Sequence, residues 1–254
     1  MSVPPTRPTA ASPASALPTS ALLAGWLAAT LRGSVGPDDF AVAVRGGDPQ
    51  HLVVDWPDRG TLPLEELPAT VQRAGGSSVG TALPVAGDPV GLRGPATFNS
   101  LALEAGEAVL LGGTGVGLVP VVDARTVLWR AAPAEPAPFL DAAEEGRLLR
   151  QTLVSTTAEL VRLDVATWQP EIPDLLLNVR HRPDLPLPPG LSPRAVEDLE
   201  RAVMCLDIVA LALRDEGGAA SSYEIGERRR CLTDLDRAAR RVVVAVCSDS
   251  LTPS

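Results

Sequence analysis

Gly112, Gly113, Thr114, Gly115, Val116 and Gly117 form the one cluster whose residue types and spacing raise a specific chemistry, the cradling of a phosphate by backbone amides. A dinucleotide cradle needs G-x-G-x-x-G, with the last glycine opening a helix whose N-terminal amides hold the pyrophosphate. Here Gly113, Gly115 and Gly117 run G-x-G-x-G, and Leu118, Val119, Pro120, Val121 and Val122 follow as a strand pattern. The acidic residue expected about twenty positions on is missing; Trp129 and a proline-rich run occupy that ground. The glycines are therefore assigned to a turn between strands, where they supply positive φ angles.

Arg180, His181 and Arg182 make a second cluster. Guanidinium groups grip a carboxylate or phosphate through paired hydrogen bonds, and a histidine titrates near neutrality. The segment from Gly91 to Ser100, with Arg93 and Asn99, is the place to look for a pocket beside the strands. Together Arg93, Asn99, Arg180, His181 and Arg182 are the candidate ligand-binding residues, and their chemistry suits a small anion. The ordinary alternative is a solvated loop, with the cluster tied to acids such as Asp184. Arg228, Arg229, Arg230, Arg237, Arg240 and Arg241 bias the last helix toward positive charge, but Glu224, Glu227, Asp234 and Asp236 interleave them at helical pairing distance. Carboxylate pairs such as Asp38 with Asp39 and Asp55 with Asp58 carry no spacing that makes them converge. Cys205, Cys231 and Cys247 lack C-x-x-C spacing; Cys205 and Cys231 fall on or near apolar helix faces, which suits buried structural thiols.

Absences narrow the function further. The 254 residues include no lysine, one tyrosine (Tyr223) and two histidines, His51 and His181. That removes the P-loop lysine, a Schiff-base lysine and a Tyr/Lys proton relay. It also rules out a histidine-rich metal site within one chain. The expectation is no metal and no cofactor. A net charge of -9 argues against sequence-independent nucleic-acid binding and against adsorption to an anionic membrane. An odd cysteine count fits a reducing compartment, so a cytoplasmic location is expected.

The elements that must position these residues divide at prolines. Residues 1–19, rich in Pro, Ala, Ser and Thr, read as a disordered tail. Ala21–Leu31 reads as a short helix capped by Ser20, too short for a bilayer, rather than as a targeting signal. Phe40, Val42 and Val44 alternate like a strand, and with His51–Trp56 they predict a hairpin. In the second run Leu52, Val54 and Trp56 would share one face. A helix is expected over Leu64–Arg73 and a strand within Ser78–Val90; Gly94–Glu107 reads as either helix or irregular structure, with Leu101–Ala105 favouring helix and Gly106 as its stop. Ala108–Leu111, Leu118–Val122 and Thr126–Trp129 then form a three-strand meander. Pro133, Pro136 and Pro138 mark a linker.

Beyond it the apolar period becomes 3.6. Asp141 and Glu144 match a capping box ahead of Leu149, Leu153, Thr156, Leu160 and Leu163. Ser192 and Pro193 open a helix with the stripe Val196, Leu199, Val203, Leu206, Ala210 and Leu213. A last helix spans about Ser222–Val246. The architecture read from these patterns is α+β. A mainly antiparallel sheet with short helices (20–132) packs on a C-terminal three-helix bundle (139–248), possibly with one shared core. The stripes suggest more apolar surface than one chain buries. The leading expectation is a non-catalytic protein acting through protein–protein contact, as a homodimer. The alternative is an enzyme or sensor that binds a small anionic ligand at the sheet/helix junction.

Overall fold

The computed structural model describes residues 16–48, 50–123, 126–162, 185–214 and 222–250. The expected tail up to residue 15 and the Arg180–Arg182 cluster lie outside them. The architecture is α+β, as the patterns required. The N-terminal half holds α1 (Thr19–Leu31), α2 (Pro37–Arg45), β1 (Gln50–Trp56), β2 (Gly60–Pro63), α3 (Leu67–Arg73), β3 (Ser78–Ala82), α4 (Ala96–Ala105), β4 (Ala108–Gly112), β5 (Val116–Asp123) and β6 (Thr126–Pro133). The C-terminal half holds α5 (Ala142–Arg162), α6 (Pro193–Arg214), α7 (Ser222–Val246) and β7 (Asp249–Ser250).

One sheet runs β2-β1-β6-β5-β4-β3-β7. All its pairs are antiparallel except β1 with β6. The β4-β5-β6 meander stands where the sequence put it. The hairpin expected from Phe40–Val44 does not, because that stretch is α2. Pro37 starts the helix with its fixed φ, Asp38 and Asp39 sit in the first turn where the helix dipole favours acid, and Gly46 at φ +52 ends it. Phe40, Ala41 and Val44 are its buried face, so an apolar/small alternation over five residues served two periods equally well. β1 hairpins with β2 instead. A bulge at Asp55 (φ +60) flips the alternation, so His51, Val53 and Trp56 are buried together.

The sheet is covered on both faces. On one, α1, α2 and α3 lay Leu23, Leu27, Phe40, Leu67 and Val71 over Val53, Val109, Leu111, Leu118 and Trp129. On the other, α4 lays Phe98 and Ala102 over Ala82, Leu110 and Val119. α1 is not capped by Ser20: its N-cap is Pro18, and the Ser20 amide donates to Glu107 Oε2 at 2.7 Å, a residue distant in sequence.

In the helical half α7 packs against both α5 and α6. Arg241 meets Glu145 and Thr156 meets the Cys231 carbonyl, so α5 runs antiparallel to α7. Arg228 donates to the Ala212 carbonyl, so α6 does too. Asp141 Oδ1 caps α5 through the amides of Ala143 and Glu144, while the Glu144 carboxylate pairs with Arg147 instead of returning to the cap. Ser192 caps α6 through Ala195 N at 3.2 Å. The stripe on α6 holds only at its start. Leu199 and Val203 are buried, and then burial passes to Cys205, Ile208, Val209 and Ala212, leaving Ala210 and Leu213 exposed. The helical core also takes in Leu17, Ala21, Leu83 and Val90 from the N-terminal half.

Candidate functional site

Three polar networks and one open cleft stand out among the described residues. The first network is a clamp. Arg240, on α7 and only 6% exposed, donates to the Leu83 carbonyl and to Asp88 Oδ2, each at 2.9 Å, and to Asp236 Oδ2 at 2.8 Å. Arg237 adds a contact to Asp88 at 3.5 Å. Asp88 is itself buried, in a tight turn closed by paired backbone bonds with Val85. Burying either charge is tolerable only because the other faces it.

The second surrounds Asp198 on α6, which is buried and contacted by Arg150, Arg194 and Arg201; Arg201 Nη1 lies 2.7 Å from Oδ1. It sits so close to α5 that any side chain at Gly146 would overlap its carboxylate. The third is the anchor of α1. Thr81 Oγ1 bonds Ser20 Oγ at 3.0 Å, and Glu107 takes the Ser20 amide. Burial pushes the Glu107 carboxyl above its ordinary range, against the smaller lowering from Ser20. A fourth polar group lies deeper. His51 is buried, and burial outweighs Asp48 to lower its pKa. Its Nδ1 faces the Trp129 indole N–H at 3.4 Å, which leaves Nε2 toward Asp48 at 3.6 Å. The buried members, Arg240, Asp88, Asp198 and His51, serve packing, and none of these groups lines the cleft.

The cleft is built by glycines. The proline-rich run expected as a linker lies as an extended strap, residues 134–140, across the sheet. Ala134 N donates to the Gly115 carbonyl and Glu135 N to the Gly94 carbonyl, both at 2.9 Å. Under the strap, strands β3, β4 and β5 present Gly80, Gly112 and Gly117. A Cβ at Gly80 would overlap Ala137, one at Gly112 would overlap Ser78 and approach Pro136 at 3.5 Å, and one at Gly117 would meet the Phe98 ring at 2.5 Å and Ala134 at 2.8 Å. The cluster that suggested a phosphate cradle thus does two things. Gly113 (φ +84) and Gly115 (φ +71) make the β4–β5 turn, while Gly112 and Gly117 clear a path for the strap and for Phe98. No helix opens at Gly117; it lies in β5.

Where the strap reaches the sheet edge, it and strands β3 and β7 enclose a cleft of about 250 Å³. Val79, Ala137, Pro138 and Leu140 supply its apolar lining, with Ser78 and Ser248 as polar points. The Ser248 hydroxyl already accepts the Thr81 amide at 3.1 Å. Asp249, the one charged side chain in the lining, pairs with Arg32. Phe139 stands at the rim, 89% exposed.

Of the ligand-binding residues expected from sequence, Arg93 is exposed and Asn99 is half-buried on α4 with its Oδ1 enclosed and unpartnered. No hydrogen bond or ion pair joins Arg93 to Asn99 among the described residues. Arg180, His181 and Arg182 lie outside the described residues. Sequence reading passed over Gly80 and Phe139; the only signal was an aromatic residue amid prolines in a chain with 3% aromatics. The cysteines are free and buried, and burial pushes their thiols up to about 12 for Cys205 and Cys247 and about 11 for Cys231. Among the described residues no group of three or more His, Cys, Asp and Glu is placed to hold a metal, and no helix is long and apolar enough to cross a membrane.

Two family models match the chain. Residues 20–142 match the Rv1486c-like protein, N-terminal domain, and residues 143–244 the Rv1486c-like protein, C-terminal domain. No curated protein and no solved structure matches it.

Proposed function

The chain belongs to the family of Rv1486c-like proteins, and we propose that it works without catalysis, through contact with protein, and that it self-associates. The observation that carries this reading is the cleft at the strap. Small-molecule sites usually enclose about 300–1,000 Å³ and converge several polar groups on the ligand. This cleft holds about 250 Å³, its walls are mostly apolar, and its Ser248 hydroxyl and Asp249 carboxylate are already engaged. A cavity of about 150 Å³ is enough to take a benzene ring, so the space suits one large side chain. The unpaired, buried cysteines support placing the protein in a reducing, cytoplasmic setting.

The test is the mass of the full-length chain measured by sedimentation over two decades of concentration. Self-association predicts a mass that climbs from one chain toward two. A constant single-chain mass refutes it. A thermal-shift screen of metabolites addresses the ligand-binding alternative, because any ligand that binds only the folded state raises the melting temperature by mass action. The contact reading predicts no hits.

A further inference from the structure

We infer that the occupant of the cleft is Phe139 of a second copy, exchanged reciprocally about a two-fold axis. The inference rests on the self-association reading and names its surface. Large aromatic side chains are the usual anchors of protein contacts, and they dock into desolvated pockets. Of the six phenylalanine and tryptophan side chains described, five are withdrawn. Phe40, Phe98 and Trp129 are fully buried, Trp56 is 5% exposed, and Trp26 is half-buried with its indole N–H on the Pro186 carbonyl. Phe139 alone among them is wholly in the open, held there by an extended strap whose neighbours Ala134 and Ala137 are seated against glycines.

The knob and the hole are neighbours. Pro138 and Leu140, on either side of Phe139, line the cleft. A two-fold contact requires that each partner present both halves of the fit on one patch, and this patch does. Chemistry agrees with shape: Asp249 is neutralised by Arg32, so no unpaired charge opposes a ring entering the cleft. Of the other open apolar side chains, Val42 on α2 and Val122 on β5 lie outside the lining of the cleft, and Val154 and Val161 on α5 and Leu211 on α6 lie on helices that border residues outside those described, so their surroundings name no occupant. Each ring would bury about 150–250 Å². Two rings supply only a fraction of the roughly 1,200 Å² of a standard interface, so the contact belongs to the weak, reversible class.

The experiment uses the full-length chain with three forms: wild type, Phe139→Ser, and a chain carrying the photoreactive phenylalanine analogue p-benzoylphenylalanine at position 139. Because Phe139 is exposed, Phe139→Ser leaves the melting temperature of the single chain unchanged and raises the dimer dissociation constant about a hundredfold or more. Irradiation of the third form gives a covalent dimer whose cross-linked peptides contain Val79, Ala137 or Leu140. A dimer that persists in Phe139→Ser, or cross-links that map elsewhere, overturns this inference and leaves self-association standing. A wild-type chain that never dimerises removes both.

Discussion

Replacing Arg240 by methionine removes the charge that joins the helical half to the sheet while keeping most of the side-chain bulk. The wild-type guanidinium satisfies the Leu83 carbonyl and the carboxylates of Asp88 and Asp236 at 2.8–2.9 Å. Of these, Asp236 is partly open to water and recovers solvation, whereas Asp88 is about nine-tenths buried and does not. Breaking one side of a buried ion pair costs about 3–5 kcal/mol, chiefly because the remaining charge stays desolvated. Arg237, 3.5 Å from Asp88 and about half exposed, covers part of that loss. The expected cost is therefore about 3 kcal/mol, toward the lower end of that range. Replacing Asp88 by leucine in the same chain removes the stranded charge, so the double variant regains most of the loss. Urea unfolding followed by circular dichroism measures all three chains, with the midpoint and slope read together. A cost below about 1 kcal/mol for Arg240→Met, or a double variant as weak as the single one, would refute the claim that a buried pair clamps the two halves.

Further outcomes follow from the same packing. Gly80→Ala forces a methyl into Ala137 and should cost about 1–3 kcal/mol, with faster proteolysis within residues 134–140 as the strap lifts; an unchanged midpoint would deny the groove. Glycine to alanine inside a helix normally stabilises by about 0.5–1 kcal/mol, but Gly146→Ala on α5 should destabilise, because the new methyl collides with the buried Asp198 carboxylate. The Glu107 carboxyl has a higher pKa folded than unfolded, so the folded state binds its proton first as pH falls. Its charge therefore penalises folding at neutral pH, and the penalty fades as pH drops toward the ordinary value of 4.5. Glu107→Gln keeps an acceptor for the Ser20 amide, so it should be at least as stable as wild type at pH 7, with the difference closing in acid. A variant that is weaker at neutral pH than in acid would show the sign to be wrong.

Much of this was legible in the chain because local physics decided it. Gly106 stops α4 in the left-handed conformation, Asp141 and Ser192 cap their helices, and the meander follows its alternation. What escaped was set outside the apolar pattern, by flanking residues or by distant ones. The choice between strand and helix at Phe40–Val44 turned on Pro37 and Gly46, outside the apolar run itself. The stripe on α6 drifts because the helix buries a changing face along its length. Gly112 and Gly117 look like turn glycines, yet their lack of a side chain matters to residues far along the chain, Pro136 and Ala134 among them. No spacing rule records which distant atom a missing Cβ makes room for. For the same reason Phe139 carried no motif: its significance comes from the cleft beside it, which exists only once the strap crosses the sheet.

Reciprocal exchange of Phe139 is tested by sedimentation equilibrium of wild type against Phe139→Ser over the same range of concentrations. It predicts that the wild-type mass rises toward that of two chains while the variant remains a single chain with an unaltered melting temperature. Identical curves for the two proteins would contradict it.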